Sequence, residues 1–278
     1  MVLAHPAPEA PPAGPPPGRP CGRGAGGHNP GMLRLLPLLT ADGPTHMATD
    51  EALLEAAAVP TLRLYRWQPA TVSLGYFQDY QAVLGALPRP GGQAPPVVRR
   101  ITGGGAIWHQ HEVTYCLVAR LGAGGLPARV RDLYPLLHGA LLAGLRARGA
   151  RLERQVAPQG DRRYQSEPRC FAAPASDDLM TAGGAKVLGS AARARGERVL
   201  VHGSLKLESN PWDGDLAGGC GLDFATAAAV IETALAGALG TALVAGELEA
   251  AEQAARARIL GLRYGDDGWV SARRGPRP

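Results

Sequence analysis

The 278-residue chain reads as an α+β protein, a mixed β-sheet flanked by helices. Three observations predict this class. Short runs that alternate apolar and polar residues, as half-buried strands do, recur through the first 207 residues. Longer Ala- and Leu-rich stretches with helical spacing interrupt them at uneven intervals. No regular strand–helix–strand repeat is present, which a doubly wound parallel sheet would require. With 45% hydrophobic residues the chain can bury a substantial core.

The elements follow in order. Residues 1–31 are mostly Pro, Gly and Ala with few large apolar side chains. Such a segment cannot offset its ordering entropy, so a disordered tail is expected. The ordered domain is expected over 32–270, followed by a basic tail at 271–278. Leu-rich residues 33–39 predict a first strand. Residues 44–58 (PTHMATDEALLEAAA) predict a helix with Asp50 and Glu51 near its start and a buried stripe of Met47, Leu53 and Leu54. Strands are predicted at 60–67, 71–77, 97–100, 106–109 and 112–120, and a helix at 127–148. The middle returns to strands at 178–181, 186–190, 198–202 and 203–207. From Phe224 to about Leu260 the sequence is helical, broken around Gly240 and Gly246.

Composition narrows the function classes. The net charge of +5 is uneven, with arginines gathered at both tails and in the 145–169 and 193–198 stretches, but no lysine tract is interleaved with aromatics, so nucleic acid is not an expected partner. No apolar run is long enough to span a bilayer, and the N-terminus lacks the order of a secretory signal. A soluble, cytoplasmic protein is the expectation. Cys21, Cys116, Cys170 and Cys220 lie far apart with no CxxC pair, which fits neither a disulfide framework nor a zinc site. Each is to be weighed as core filler or nucleophile.

Two segments carry chemistry. The first is Arg99-Arg100-Ile-Thr-Gly103-Gly104-Gly105-Ala106-Ile-Trp108-His109. Adjacent glycines let a backbone approach a ligand closely with its N–H groups aimed at an anion. The arginines add forked donors for a carboxylate or phosphate. The second is Cys170-Phe-Ala-Ala-Pro174, followed by Gly183-Gly-Ala-Lys186-Val-Leu-Gly189-Ser190 and then His202-Gly-Ser-Leu205.

Together these motifs resemble the catalytic domain shared by biotin and lipoate protein ligases and octanoyltransferases, the lipoate branch in particular. The helix MATDEALLEAA, the strand SLGYFQ and the Tyr264–Trp269 segment match its opening and closing elements. The resemblance runs over roughly residues 33–270. It implies a fold related to class II tRNA synthetase cores. It also implies one of two activities. An octanoyltransferase takes octanoate from acyl carrier protein onto a cysteine. It then passes the acyl group to a lysine of a lipoyl domain or of glycine-cleavage H protein, with no cofactor. A lipoate ligase instead makes an acyl-adenylate and needs ATP and Mg²⁺. The Cys-Phe-x-x-Pro segment upstream of the lysine hairpin matches the cysteine-dependent octanoyltransferases, whereas the third glycine, Gly105, is shared with ligases.

The implied catalytic residues are Cys170, as nucleophile, and Lys186, as a cation favouring the thiolate and the developing oxyanion. The implied substrate-binding residues are Arg100, Gly103, Gly104, Gly105, Ala106, His109, Gly189 and His202, with no metal ligands. Either His109 or His202 could assist deprotonation of the acceptor lysine. Tyr76 and Phe77 are expected to line an apolar tunnel for the acyl chain. Trp108 is read as either a pocket wall or sheet core, and Cys116 as core.

Overall fold

The computed structural model describes residues 31–161 and 163–274. The elements run β1 (Met32–Leu35), β2 (Leu39–Ala41), α1 (Gly43–Ala56), β3 (Thr61–Trp67), β4 (Thr71–Leu74), α2 (Tyr80–Ala86), β5 (Val97–Arg99), β6 (Ile107–His109) and β7 (Glu112–Arg120). They continue through α3 (Leu133–Ala147), β8 (Leu152–Arg154), β9 (Leu179–Thr181), β10 (Lys186–Arg195), β11 (Arg198–Lys206), α4 (Phe224–Leu239), β12 (Ala242–Ala245), α5 (Ala250–Ile259) and α6 (Asp267–Ala272). The main sheet has the order β12-β1-β3-β7-β11-β10-β9-β8, with β2 beside β3, and β5-β4-β6 form a smaller sheet. Pairing in the main sheet is parallel at the β12, β1, β2 end and antiparallel from β3 onward. The fold is thus mixed α+β, as the sequence predicts. No described helix is long and apolar enough to cross a membrane.

The two long central strands show why the site forms where it does. β7 and β11 pair in register over nine positions, Glu112 with Lys206 through Arg120 with Arg198. Because side chains alternate between faces, Val113, Tyr115 and Leu117 join Val201 and Leu205 under α3 and α4, packed with Leu137, Leu141 and Ile231. Toward the site end, the opposite face carries Glu112 and Thr114 beside Lys206, Ser204 and His202. One face is therefore core and the other a buried polar floor. Farther along that second face, Cys116 and Leu200 pack with Met47, Leu53 and Leu54 of α1, Ile259 of α5, and Trp269 of α6.

Several boundaries depart from the sequence reading. Residues 33–39 divide into β1 and the start of β2, which lie on the same side of β3. The 71–77 strand ends at Leu74, because the chain turns to pass the glycine loop: a Cβ on Gly75 would stand 1.8 Å from Gly104 O. The C-terminal helical stretch holds a strand the sequence reading lacks. Gly240, left-handed at φ 62°, closes α4. Ala242–Ala245 then pairs with β1 in parallel before α5 begins. Asp50 and Glu51 are not at the start of α1. Asp42 caps that helix by accepting from the Thr45 N–H at 2.9 Å, and both acids are buried mid-helix. Residues 271–272 belong to α6 rather than to a tail. The readings for 1–30, including Cys21, and for 275–278 lie outside the described residues.

The buried acids of α1 have physical partners. Asp50 accepts from Arg63 Nη1 at 2.6 Å and from the Tyr65 hydroxyl at 3.0 Å. Glu51 accepts from Arg195 at 2.9 Å and from the Tyr264 hydroxyl at 3.0 Å, and it also pairs with Arg263. Trp269 Nε1 donates to the Arg99 carbonyl at 2.9 Å. The Tyr264–Trp269 segment thus ties the end of the domain to α1 and to the strand that leads into the glycine loop.

Candidate active site

Cys170 opens a single 3₁₀ turn, Cys170–Ala172. Its position is set by a backbone clasp with the glycine loop. The Cys170 N–H donates to the Ala106 carbonyl at 2.8 Å, and the Ala106 N–H donates to the Pro168 carbonyl at 2.7 Å. Ala106 therefore acts through its backbone, and its side chain is buried away from the cavity. Gly105 has a steric reason to be glycine. A Cβ there would lie 2.5 Å from the Tyr164 ring and 2.7 Å from the Cys170 nitrogen. The third glycine thus serves the cysteine segment, and does not by itself favour a nucleotide.

Lys186 is the first residue of β10, and the β9–β10 hairpin brings it to Cys170. Its Nζ lies 3.5 Å from Cys170 Sγ and 3.4 Å from the Cys170 carbonyl. On its other side Nζ meets Asp178 Oδ2 at 2.7 Å, with both side chains almost fully buried. Burial opposes the ammonium charge, but Asp178 and then Cys170 outweigh it and raise the Lys186 pKa above its ordinary value. The group is a fixed cation at physiological pH. Asp178 also accepts from the Ala175 N–H at 2.6 Å, which fixes its carboxylate. Sequence reasoning placed Asp178 only as the start of a strand. The available signal was the hairpin turn between it and Lys186, which brings the two strands side by side. Gly189 leaves room for the lysine: a Cβ there would stand 2.5 Å from Lys186 Cε.

Arg100 is placed differently from expectation. Nε donates to Thr102 at 3.2 Å, Nη1 to the Ser73 carbonyl and hydroxyl at 2.9 and 3.0 Å, and Nη2 to the Gly103 and Gly105 carbonyls at 2.8 and 2.7 Å. All five of its N–H groups are engaged. Arg100 braces the glycine loop and offers the cavity its charge rather than a free fork of donors. Gly103 and Gly104 line the cavity beside it.

The two candidate histidines are each pinned between a carboxylate and a hydroxyl. His109 Nδ1 lies 2.7 Å from Glu112 and Nε2 lies 2.7 Å from the Ser73 hydroxyl, with the ring stacked on Trp67 at 3.9 Å. His202 Nδ1 lies 3.1 Å from Asp50 and Nε2 lies 2.7 Å from the Thr102 hydroxyl. Ionised carboxylates accept only, so each ring donates from Nδ1 to its carboxylate, and in His109 the neutral ring accepts from the Ser73 hydroxyl at Nε2. Burial lowers the His109 pKa to about 4, partly opposed by Glu112, so the ring is neutral near pH 7. Burial also disfavours the Glu112 charge, but Lys206 and then His109 hold its pKa well below the carboxylate range. Lys206 completes this floor, 2.7 Å from Glu112 and 2.6 Å from the Trp108 carbonyl. The floor escaped the sequence reading, although its signal was present: polar residues at every second position, 112 and 114 in β7 and 202, 204 and 206 in β11.

These side chains surround a cavity of about 250 Å³ that Cys170 and Lys186 share. Its apolar wall comes from Met47, Tyr65, Trp67 and Ile107. Tyr76 and Phe77 do not line it. Tyr76 packs toward Trp269, and Phe77 is 74% exposed, because the chain leaves the sheet at Gly75. Trp108 is sheet core, packed with Val72, Leu74 and Trp212. Cys116 is buried core as expected, and Cys220 is buried as well. Neither lines the cavity.

The family described as the lipoyl protein ligase A/B catalytic domain matches residues 42–216. The chain is 41% identical over 181 residues to the octanoyltransferase LipM of Moorella thermoacetica, covering 64% of this chain and 66% of the relative. It is 32% identical over 271 residues to the octanoyltransferase LipM of Symbiobacterium thermophilum, covering 85% of this chain and 97% of the relative. The match to the first of these spans just under two thirds of that relative's length. Among solved structures, a lipoate-protein ligase A bound with ATP superposes with a TM-score of 0.68 at 18% identity, over 87% of this chain and 98% of that one. A bipartite lipoate protein ligase from Thermoplasma acidophilum, described with its E2 lipoyl domain, gives 0.63 at 17% identity, over 87% and 96%. At such identities the structural likeness speaks to fold.

Proposed function

Because the chain belongs to the lipoyl protein ligase A/B catalytic-domain family, we propose that it is an octanoyltransferase that carries its acyl group on Cys170. The donor is octanoyl-acyl carrier protein. The acceptor is a lysine of a lipoyl domain or of glycine-cleavage H protein. The observation that carries this reading is the buried ammonium 3.5 Å from the Cys170 sulfur. An adenylate-forming ligase has no use for a thiol there, whereas a thioester carrier does. The names of the curated relatives support the same choice.

In the first step the Cys170 thiolate attacks the donor thioester carbonyl. A new C–S bond forms, the donor's C–S bond breaks, and the carrier leaves as a thiolate that takes up from solvent the proton the Cys170 thiol released there. Lys186 favours the thiolate before attack and faces the charge that develops on the carbonyl oxygen. Asp178 holds the ammonium in line. In the second step a neutral acceptor amine attacks the enzyme thioester. A C–N bond forms, the amine's proton passes to solvent water, and the C–S bond breaks with Cys170 departing as a thiolate beside the same cation. One thioester replaces another in the first step, and the stable amide drives the second.

The apolar wall of Met47, Tyr65, Trp67 and Ile107 gives the acyl chain a dry place, stabilising it by about 0.8 kcal/mol per buried methylene before ordering costs. The neutral His109 keeps charge away from that wall. No ATP or Mg²⁺ is required by this sequence of steps. The test is a transfer assay with an unmodified lipoyl domain. Octanoyl-acyl carrier protein without ATP is expected to modify the domain. Free lipoate with ATP and Mg²⁺ is expected not to. The reverse pattern would establish the ligase chemistry instead.

A further inference from the structure

β10 has one closed edge and one open edge. Toward β11 it pairs continuously from Leu188 to Arg195. Toward β9 it pairs only at Lys186 and Leu188, where the register shifts. Beyond Leu188, among the described residues, no strand and no backbone hydrogen bond reaches the outer edge of Gly189–Arg195. Six residue steps of unpaired backbone, about 20 Å, therefore run away from the catalytic lysine.

Open edges are usually blocked by proline, by an inward charge or by a bulge, because an unpaired ladder invites another strand. This edge has no proline and no bulge past Leu188. Its side chains are Ser190, Ala191, Ala192 and Ala194, small enough for a second backbone to approach, together with two arginines. Both arginines are drawn to the sheet face. Arg195 pairs with Glu51 at 2.9 Å, and the Arg193 guanidinium lies over the Tyr76 ring at 5.9 Å. The edge is also continuous with the reaction cavity, which Gly189, Ser190, Ala191 and Ala192 help to line.

We propose that the outer edge of β10 is the docking strand for the acceptor protein, which adds one of its own strands there and so carries its lysine into the cavity. This rests on the acyl-carrier reading above and names where its second step is organised. The demand is geometric. The Cys170 sulfur belongs to a residue only 8% exposed, and a lysine arm is four methylenes long. The acceptor backbone must therefore come close to the cavity mouth. A strand paired along Ser190–Ala194 meets this condition if its lysine sits at the end facing Gly189, as on the turn of a hairpin. Main-chain hydrogen bonds would supply affinity with little demand on the acceptor's side chains.

The test uses the full chain, octanoylated on Cys170, with an unmodified lipoyl domain. Hydrogen exchange is expected to slow at least tenfold at outward-facing amides within Ser190–Arg195 when the domain is added. A bound domain that leaves those amides unprotected would overturn the docking proposal. Arg193→Pro and Ala194→Pro give a second measurement. Their N–H groups point to opposite edges, so one of the two removes an outward donor. That variant is expected to form the enzyme thioester at the wild-type rate and to release it normally to hydroxylamine. Its transfer to the lipoyl domain should fall at least tenfold, with Arg193→Ala retaining transfer. Normal transfer by both proline variants would overturn the proposal. Absence of any thioester in the unsubstituted chain would instead overturn the acyl-carrier reading on which it rests.

Discussion

Gly189→Ala isolates the role of the lysine. The added methyl carbon would stand 2.5 Å from Lys186 Cε and 2.6 Å from Nζ. Non-bonded carbons rest at about 3.5–4.0 Å, so the end of the lysine must retreat by about 1 Å. That end is held 2.7 Å from Asp178 and 3.5 Å from the Cys170 sulfur. A shift of this size loosens both contacts without touching the sulfur itself. Misplacing a reacting group by 1 Å costs on the order of 10²-fold in rate, equivalent to about 2.7 kcal/mol. The assay is the single-turnover rate of thioester formation from octanoyl-acyl carrier protein, followed by intact mass, with circular dichroism as a check on folding. A folded variant that acylates within threefold of the wild-type rate would refute the assignment of Lys186.

Further expectations follow from the same geometry. Gly105→Ala drives a methyl against the Tyr164 ring and the Cys170 backbone. Thioester formation should fall at least as far as for Gly189→Ala, with about 1–3 kcal/mol of lost stability from overpacking, both read from a melt and an acylation time course. Met47→Ala enlarges the cavity and should shift acyl preference toward chains longer than octanoyl. Phe77→Ser should leave that preference unchanged, since Phe77 is outside the cavity; competition among donors of different length reads both. Stability should fall as pH drops from 7 toward 4. Burial, and secondarily Arg63, lowers the His46 pKa to about 4, and burial lowers that of His109 to about 4 as well. Between about pH 6.5 and 4 the unfolded chain therefore binds protons that the folded chain does not, at up to about 1.4 kcal/mol per histidine per pH unit. The Asp50 and Glu112 carboxylates, held below their ordinary values against burial, by Arg63 and Lys206 respectively, add their loss only at lower pH. A midpoint temperature that stays flat or rises on acidification would contradict these assignments.

The parts of the molecule legible in the sequence are those whose reasons are local. The strand at 112–120 alternates, the helix at 44–58 has its apolar spacing, and the glycine and cysteine motifs announce themselves by composition. What the sequence hid depends on distant partners. The Asp178 carboxylate matters only because a hairpin folds it against Lys186. Asp50 and Glu51 look like surface acids until Arg63, Arg195 and Tyr264 arrive from other elements. Arg100 offers a fork of donors in sequence and spends all five on Ser73, Thr102 and the glycine loop in space. Phe77 follows an apolar strand, but the close pass of Gly75 against Gly104 sends it outward. β12 is Ala- and Leu-rich like the helices around it, and only pairing with β1 makes it a strand.

The proposed transfer depends on one sulfur holding the acyl group in transit. Its most direct test is to quench the chain with octanoyl-acyl carrier protein in the absence of acceptor and map the adduct by peptide mass. A single hydroxylamine-labile octanoyl group on Cys170, missing in Cys170→Ser, is the predicted result. An adduct elsewhere, or full transfer activity in Cys170→Ser, would contradict it.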